Sequence, residues 1–163
     1  MTLLNLGCSN FKIPNFVNID IDPSVNPELV IDLRDLSKNF TPNSVDFIYA
    51  GHVFEHFTYE ESLDIMKQCQ SILKPFRNLM LVVPDYSKCS SLPIEEAERI
   101  ILGCGNHKTI FNSIRITEML KKLNFHSVNE IVDLKEVPYI LVSNIYDPKP
   151  EPWQTAFLAF KIF

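Results

Sequence analysis

The alternation of apolar and polar positions predicts a chain built from short strands separated by helices or loops. Residues 78–84, NLMLVVP, form a continuous apolar run, which is typical of a central strand buried on both faces. Shorter runs bounded by glycine, proline or an acid also predict strands. Together the predicted strands cover residues 3–7, 16–22, 28–33, 44–51, 78–84, 128–134 and 155–163.

Two segments have the apolar spacing of an amphipathic helix, in which apolar residues recur three or four positions apart. The first begins at Thr58, which can form a capping box with Glu61, and continues until Pro75. The second covers residues 113–124, where Asn124 is suited to a left-handed stop.

These elements predict an α/β fold in which the whole chain, residues 1–163, forms a single domain. Strands that alternate with helices favour an open, doubly wound, Rossmann-like sheet that is mostly parallel and has an antiparallel final strand. Only the stretch CSNFKIPN separates the first two strands, although a parallel crossover usually needs about a dozen residues or more. We therefore expect the first helix to be abbreviated or absent.

Charge and composition narrow the classes of function. The net charge is -5 and no basic block is longer than Lys121-Lys122, which argues against a nucleic-acid partner. The N-terminal MTLLNLGCSN has no basic lead and no long apolar run, so we expect no signal peptide, no membrane span and a cytoplasmic location. The cysteines form no C-x-x-C pair and are expected to be free thiols.

Glycines and acids follow several predicted strands at their carboxyl ends, where open α/β sheets bind ligands. A glycine lets the backbone approach a ligand closely, and a carboxylate after the second strand can accept both hydroxyls of a ribose. A carboxylate after the third strand can accept an exocyclic amine. The residues at these positions are Gly7, Asp20 or Asp22, Asp32, the Gly51-His52 corner and Asp85. They predict an adenosine site.

Five stretches follow one another along the chain with the character of a known set of motifs: LNLGCSN, VNIDIDP, VIDLRDL, DFIYAGHVFEHF and SILKPFRNLMLVVPDY. In this order they resemble the class I S-adenosylmethionine-dependent methyltransferases, specifically the short type 11 group. The later stretch HKTIFNSIRITEMLKKLNF is similar to that family's penultimate helix. Two positions depart from the pattern, since Ser9 stands at a usual glycine and Phe76-Arg77 replace a glycine pair.

The resemblance implies methyl transfer with S-adenosylmethionine (SAM) as the cofactor, to a small-molecule or saccharide acceptor. It places the methionine part of SAM beside Asn5, Gly7, Cys8 and Ser9, its ribose beside Asp20 and Ile21, its adenine beside Asp32 and Leu33, and its methyl group beneath Gly51 and His52. The alternative is a non-catalytic module that binds SAM without transferring its methyl group.

The stretch AGHVFEHF places His52, Glu55 and His56 in the spacing H-x-x-E-H, which can hold zinc in hydrolases. Such a site needs both histidines on a helix, whereas the helix pattern begins only at Thr58. We therefore predict no metal, and a zinc-dependent hydrolase is the least favoured alternative. If a hydroxyl or amine acceptor must lose a proton, the candidate bases are His52, His56, Asp85 and His107.

Two segments carry apolar side chains that are expected to be buried away from water, either within the chain or at an interface. One is residues 85–112, where isoleucines and leucines predict an apolar patch on a short helix, and the other is YDPKPEPW, which ends in the aromatic Trp153. Either segment can pack within its own chain. Because two-fold self-association commonly buries such patches, we expect a homodimer.

Overall fold

A computed structural model describes residues 1–131 and 152–162, apart from the side chain of Cys104. Within them, seven strands form one sheet in the order β3-β2-β1-β4-β5-β7-β6. The strands are β1 (Leu3–Leu6), β2 (Val17–Asp20), β3 (Leu29–Val30), β4 (Val45–Gly51), β5 (Leu73–Pro84), β6 (His126–Glu130) and β7 (Gln154–Phe160). Strands β1 to β5 pair in parallel, and β7 is antiparallel to β5 and β6. The predicted mostly parallel α/β sheet with an antiparallel final strand is confirmed.

The α-helices of the described residues are α1 (Leu36–Asn39), α2 (Tyr59–Ile72), α3 (Ile94–Leu102) and α4 (Ser113–Lys122). The predicted capping box starts α2, because Thr58 Oγ1 accepts from Glu61 N–H and Glu61 Oε2 accepts from Thr58 N–H. Apolar residues of α1, α2 and α4 pack in the main core on one face of the sheet. The smaller apolar cluster, on the other face, contains no residue of these helices. None of these helices is long and apolar enough to cross a membrane.

A loop replaces the helix between β1 and β2, as the short spacing predicts. Residues 8–16 contain no helix, and buried Asn18 holds them in place. Its Oδ1 accepts from Asn5 Nδ2 and from the backbone N–H of Ile13, both at 2.8 Å. Its amide nitrogen donates to the backbone oxygens of Ile13 and Phe16 at 3.3 Å. Ile13 and Phe16 thereby pack in the smaller apolar cluster.

Replacing Asn18 with alanine is expected to lower the free energy of unfolding by about 2 kcal/mol, since the buried amide of Asn5 and the backbone of Ile13 lose their partner. Urea unfolding followed by circular dichroism measures the difference. Asn10→Ala, at an exposed position of the same loop, is the control and should leave stability unchanged. Equal stabilities of the Asn18 and Asn10 variants would show that the loop is held by other contacts.

The junction between α2 and β5 differs from its prediction. The helix was expected to continue until Pro75 and the strand to begin at residue 78, but α2 ends at Ile72 and β5 begins at Leu73. Leu73 is already extended, with φ -62° and ψ 136°. Pro75 has no backbone N–H to donate and disfavours the helical conformation at Lys74, so the helix does not continue to residue 75.

Strands β3 and β6 also differ from their predicted ranges. Strand β3 keeps only Leu29–Val30 of residues 28–33, because Asp32 accepts from the Arg34 N–H and begins a 3-10 turn. Strand β6 covers His126–Glu130, and the remainder of the predicted range 128–134 beyond residue 131 lies outside the described residues.

The apolar patch predicted within residues 85–112 forms only in part. On α3, Ile100 is buried, whereas Ile94 and Leu102 are 76% and 51% exposed. Of the stretch YDPKPEPW, only Pro152 and Trp153 are among the described residues.

Candidate cofactor-binding and active site

A cavity of about 370 Å³ lies at the carboxyl ends of β1, β2 and β4. Six of the residues predicted to bind the cofactor line it from the β1, β2 and β3 side: Gly7, Ser9, Asp20, Ile21, Asp32 and Leu33. His52 and His56 line it from the β4 side. The location agrees with the edge at which open α/β sheets bind ligands.

Asp20, the last residue of β2, is fixed by two backbone groups. Its Oδ2 accepts from Ser9 N–H at 2.8 Å and its Oδ1 accepts from Asp22 N–H at 3.0 Å. Asp22 instead turns its own carboxylate to Ser24 N–H at 2.8 Å and caps the 3-10 turn Pro23–Val25. Two acids two positions apart would share one face of a strand, but in the structure their carboxylates accept from different backbone groups.

Arg34 is a member of the cavity wall that the sequence analysis missed. Its guanidinium Nε lies 3.0 Å from both Asp32 oxygens, and its Nη1 lies 3.1 Å from Glu61 Oε1. The hydrogen bond from Arg34 lowers the pKa of Asp32, so this carboxylate is charged over a wide pH range. An arginine two positions after an acid that ends a strand was the available signal, because the first turn after the strand brings the two side chains together.

Gly7 and Ser9, just after β1, have left-handed backbone conformations. Gly7 has φ +59°, and a Cβ built on it would lie 2.6 Å from Val53 Cγ2. Ser9, at the position where the resembling family usually has glycine, has φ +44°. The loop therefore keeps a glycine-like path at Ser9 even though the residue there is serine.

Three residues predicted to contact the cofactor do not line this cavity. The buried amide of Asn5 donates to the backbone oxygen of Phe11 and to Asn18. Cys8 is buried, and burial raises the pKa of its thiol. Gly51 ends β4 and lies against Tyr49, whose hydroxyl would be 2.4 Å from a Cβ at that position.

His52 follows β4 with φ +57° and is held on both ring nitrogens. Its Nδ1 lies 3.0 Å from Oε1 of Glu55, whose side chain is only 2% exposed. Its Nε2 lies 2.7 Å from Gln154 Nε2, and its ring centroid is 5.7 Å from that of Trp153. Because a side-chain amide nitrogen can only donate, we assign the proton of His52 to Nδ1, where it donates to Glu55.

His56 and His107 lie together, with ring centroids 5.0 Å apart. His56 ends the 3-10 turn Phe54–His56, and α2 begins only after it, at Tyr59. The two histidines of H-x-x-E-H therefore do not share one helical turn. This agrees with the prediction that the helix begins only after the motif. His107 does not line the cavity of about 370 Å³.

Asp85, the remaining predicted base, is buried and has a structural role. Its Oδ1 accepts from the N–H and hydroxyl of Ser87, and its Oδ2 accepts from the N–H and hydroxyl of Ser113 at 3.1 and 2.8 Å. Burial alone would raise the pKa of Asp85, but these hydrogen bonds outweigh it and lower the pKa. Asp85 thus joins the end of β5 to the start of α4 and does not line the cavity.

Comparison with known proteins gives a fold likeness and no sequence relative. No family model matches the chain, and no curated protein matches it. A SAM-dependent methyltransferase from Archaeoglobus fulgidus matches with a TM-score of 0.74 and 15% identity over 98% of this chain and 86% of that one. A SAM-dependent methyltransferase from Aquifex aeolicus matches with a TM-score of 0.63 and 14% identity over 99% and 82%.

Some larger proteins contain the same fold. Phosphoethanolamine N-methyltransferase 2 from Haemonchus contortus, solved with SAM, matches all of this chain with a TM-score of 0.64 and 12% identity, but the match covers only 49% of that protein. The assignment to the type 11 group stays a prediction. The chain has the fold of the class I SAM-dependent methyltransferases.

Proposed function

We propose that this chain is a SAM-dependent methyltransferase that acts on a small-molecule or saccharide acceptor. The observation that carries the proposal is the Asp20 carboxylate in the cavity wall, fixed by backbone groups of Ser9 and Asp22. Each of its oxygens keeps a further lone pair. A carboxylate held in this way can accept the two hydroxyls of a ribose without first losing conformational freedom.

The wall on either side of Asp20 suits the other parts of the cofactor. Ile21 is 61% exposed and Leu33 lines the same cavity, so together they offer an apolar surface to an adenine ring. The charged pair of Asp32 and Arg34 offers both an acceptor and donors at its rim. Gly7 leaves open the narrow space that a Cβ would fill against Val53.

Bound SAM supplies a methyl group on a positively charged sulfur, and an in-line displacement transfers it. The contribution of the chain is to hold the acceptor in line with the donor and to exclude water, which accounts for most of the acceleration in such reactions. Arg34 offsets the charge of Asp32, and the carboxylates of Asp20 and Asp22 in the same wall make the cavity favourable for a cation.

His52 is the proposed base when the acceptor is a hydroxyl or an amine. Its Nδ1–H is directed to Glu55, which leaves the Nε2 lone pair to receive a proton. Gln154 now donates to that lone pair, and the donor group of an acceptor molecule would take its place. Asp85 and His107 are not in this assignment because neither lines the cavity.

Titration calorimetry with SAM and with S-adenosylhomocysteine tests the proposal. We expect saturable binding of one molecule per chain for each ligand. NADH is the control ligand and should not bind, because the loop at residues 8–16 lacks the helix N-terminus that stabilises a pyrophosphate. If SAM gives no binding heat even at millimolar concentration, the proposed function is wrong.

A further inference from the structure

Glu55, His56 and His107 form a cluster that the sequence pattern does not reveal. One potential ligand atom from each of the three side chains lies within 4.8 Å of the other two. The backbone oxygen of Glu55 accepts from the N–H groups of Lys108 and Thr109 at 2.7 and 3.2 Å. These hydrogen bonds hold the segment after His107 against the 3-10 turn that carries the other two residues.

The carboxylate of Glu55 lacks a partner for one of its oxygens. Oε1 lies 3.0 Å from His52 Nδ1, but Oε2 is buried and has no hydrogen-bond partner among the described residues. The side chain is 2% exposed, so bulk water does not reach it. A buried carboxylate oxygen in this state is costly unless a cation or a proton accompanies it.

Both histidines are oriented by backbone carbonyls. His107 Nδ1 lies 2.9 Å from the backbone oxygen of Ile101, and His56 Nδ1 lies 3.4 Å from that of Asn106. With the proton on Nδ1, each ring presents the lone pair of Nε2 to a ligand. Metal-binding histidines are usually held in this way, with the second nitrogen donating to a carbonyl or carboxylate oxygen.

Gly103 fixes the His107 ring from behind. A Cβ on Gly103 would lie 2.3 Å from Cδ2 and 2.4 Å from Nε2 of that ring, so the imidazole packs directly against the glycine backbone. The orientation of His107 is thus set both by a hydrogen bond and by packing, before any ligand binds.

We propose that Glu55, His56 and His107 bind a divalent transition-metal cation, with Zn²⁺ the best suited. Two imidazoles and one carboxylate are donors that zinc accepts, and a three-residue set leaves a coordination position for water or an acceptor atom. The cation neutralises the buried Oε2 of Glu55. Because His56 also lines the cofactor cavity, the cation lies beside that cavity and links the 3-10 turn to the segment after α3.

This site is different from the arrangement that H-x-x-E-H suggests. His52 is not a ligand in it, and its contact with Glu55 Oε1 makes it a positioning residue for the carboxylate. The site also goes beyond the proposed methyl transfer, which needs no metal. Binding of the metal can therefore be measured without any methyl acceptor.

Titration of the metal-free full-length chain with Co²⁺, followed by visible absorption, is the direct experiment. We expect one equivalent of Co²⁺ to give ligand-field bands, and one equivalent of Zn²⁺ to remove them by competition. His56→Ala, His107→Ala and Glu55→Gln should each weaken binding at least tenfold. His56 is exposed, so its replacement leaves the fold intact and keeps the test decisive even if another variant unfolds.

His126→Ala is the matched control, since it removes an exposed imidazole on β6 that is not part of the cluster. Its affinity for Co²⁺ should equal that of the unchanged chain. The proposal is overturned if no equimolar binding occurs, if binding survives His56→Ala, or if His126→Ala weakens it as much as the cluster variants do. SAM binding is scored separately by calorimetry, so failure of the metal site and failure of the proposed function give different results.

Discussion

Replacing Asp20 with alanine is expected to weaken SAM binding about a hundredfold. Two hydrogen bonds from ribose hydroxyls to a charged acceptor are lost, and such bonds contribute about 1.5–3 kcal/mol each. At the lower end of this range the two bonds together contribute about 3 kcal/mol, which corresponds to a factor on the order of a hundred in the dissociation constant. The N–H groups of Ser9 and Asp22 lose their acceptor as well, so the loop around the cavity becomes less well ordered.

Calorimetry on three variants separates the ribose contact from the loop. Asp20→Asn keeps one acceptor oxygen and should fall between the alanine variant and the unchanged chain. Asp22→Ala removes a second acid of the same cavity wall, one whose carboxylate accepts from Ser24 N–H, and its affinity should change by no more than about threefold. If Asp22→Ala and Asp20→Ala weaken binding equally, the cavity recognises negative charge and not the position of the Asp20 carboxylate.

Replacing Asp85 with alanine is expected to lower the free energy of unfolding by about 4 kcal/mol. Removal of one member of a buried, fully hydrogen-bonded group leaves several donors of Ser87 and Ser113 without an acceptor. The start of α4 then loses its link to the end of β5. Urea unfolding at neutral pH measures the loss, and Asp64→Ala at an exposed position of α2 is the control.

The contribution of Asp85 should also depend on pH. Its pKa in the folded chain is below the ordinary value of 3.8, so its stabilisation is fully present above that pH and is lost as the pH falls through the folded pKa. Asp85→Asn cannot titrate. The difference in unfolding free energy between the unchanged chain and Asp85→Asn should therefore shrink below about pH 4. A difference that stays constant down to pH 2 would contradict the role of the charged carboxylate.

Much of the fold could be predicted because its signals are local. The strands that build the parallel part of the sheet are short apolar runs followed by glycine or an acid, and the start of α2 is a capping box formed by Thr58 and Glu61. The absence of a first helix could be predicted because too few residues separate the first two strands. Asp20 and Asp32 were identified because the ends of parallel strands lie at one edge of a sheet, which topology fixes without any knowledge of side-chain contacts.

The parts that could not be predicted depend on contacts between distant residues. His107 meets Glu55 and His56 only because the segment after α3 returns to the turn after β4. Gln154 reaches His52 across the sheet edge in the same way. A sequence pattern carries spacing within an element, and these contacts depend on how separate elements pack. For Asp85, the sequence gives its place after a strand but not its burial or its four hydrogen bonds.

The position of β7 in the sheet has a consequence for how the protein is made. Strand β7 pairs with β5 on one side and β6 on the other, yet it follows both along the chain. As the polypeptide leaves the ribosome, the described residues offer no strand to pair with the outer edge of β5, or with β6, until β7 emerges. Unpaired strand edges are templates for pairing with other chains. We therefore expect the nascent chain to be most prone to aggregation in this interval. Gln154 arrives with β7, and the surroundings of His52 are therefore completed only once β7 has emerged.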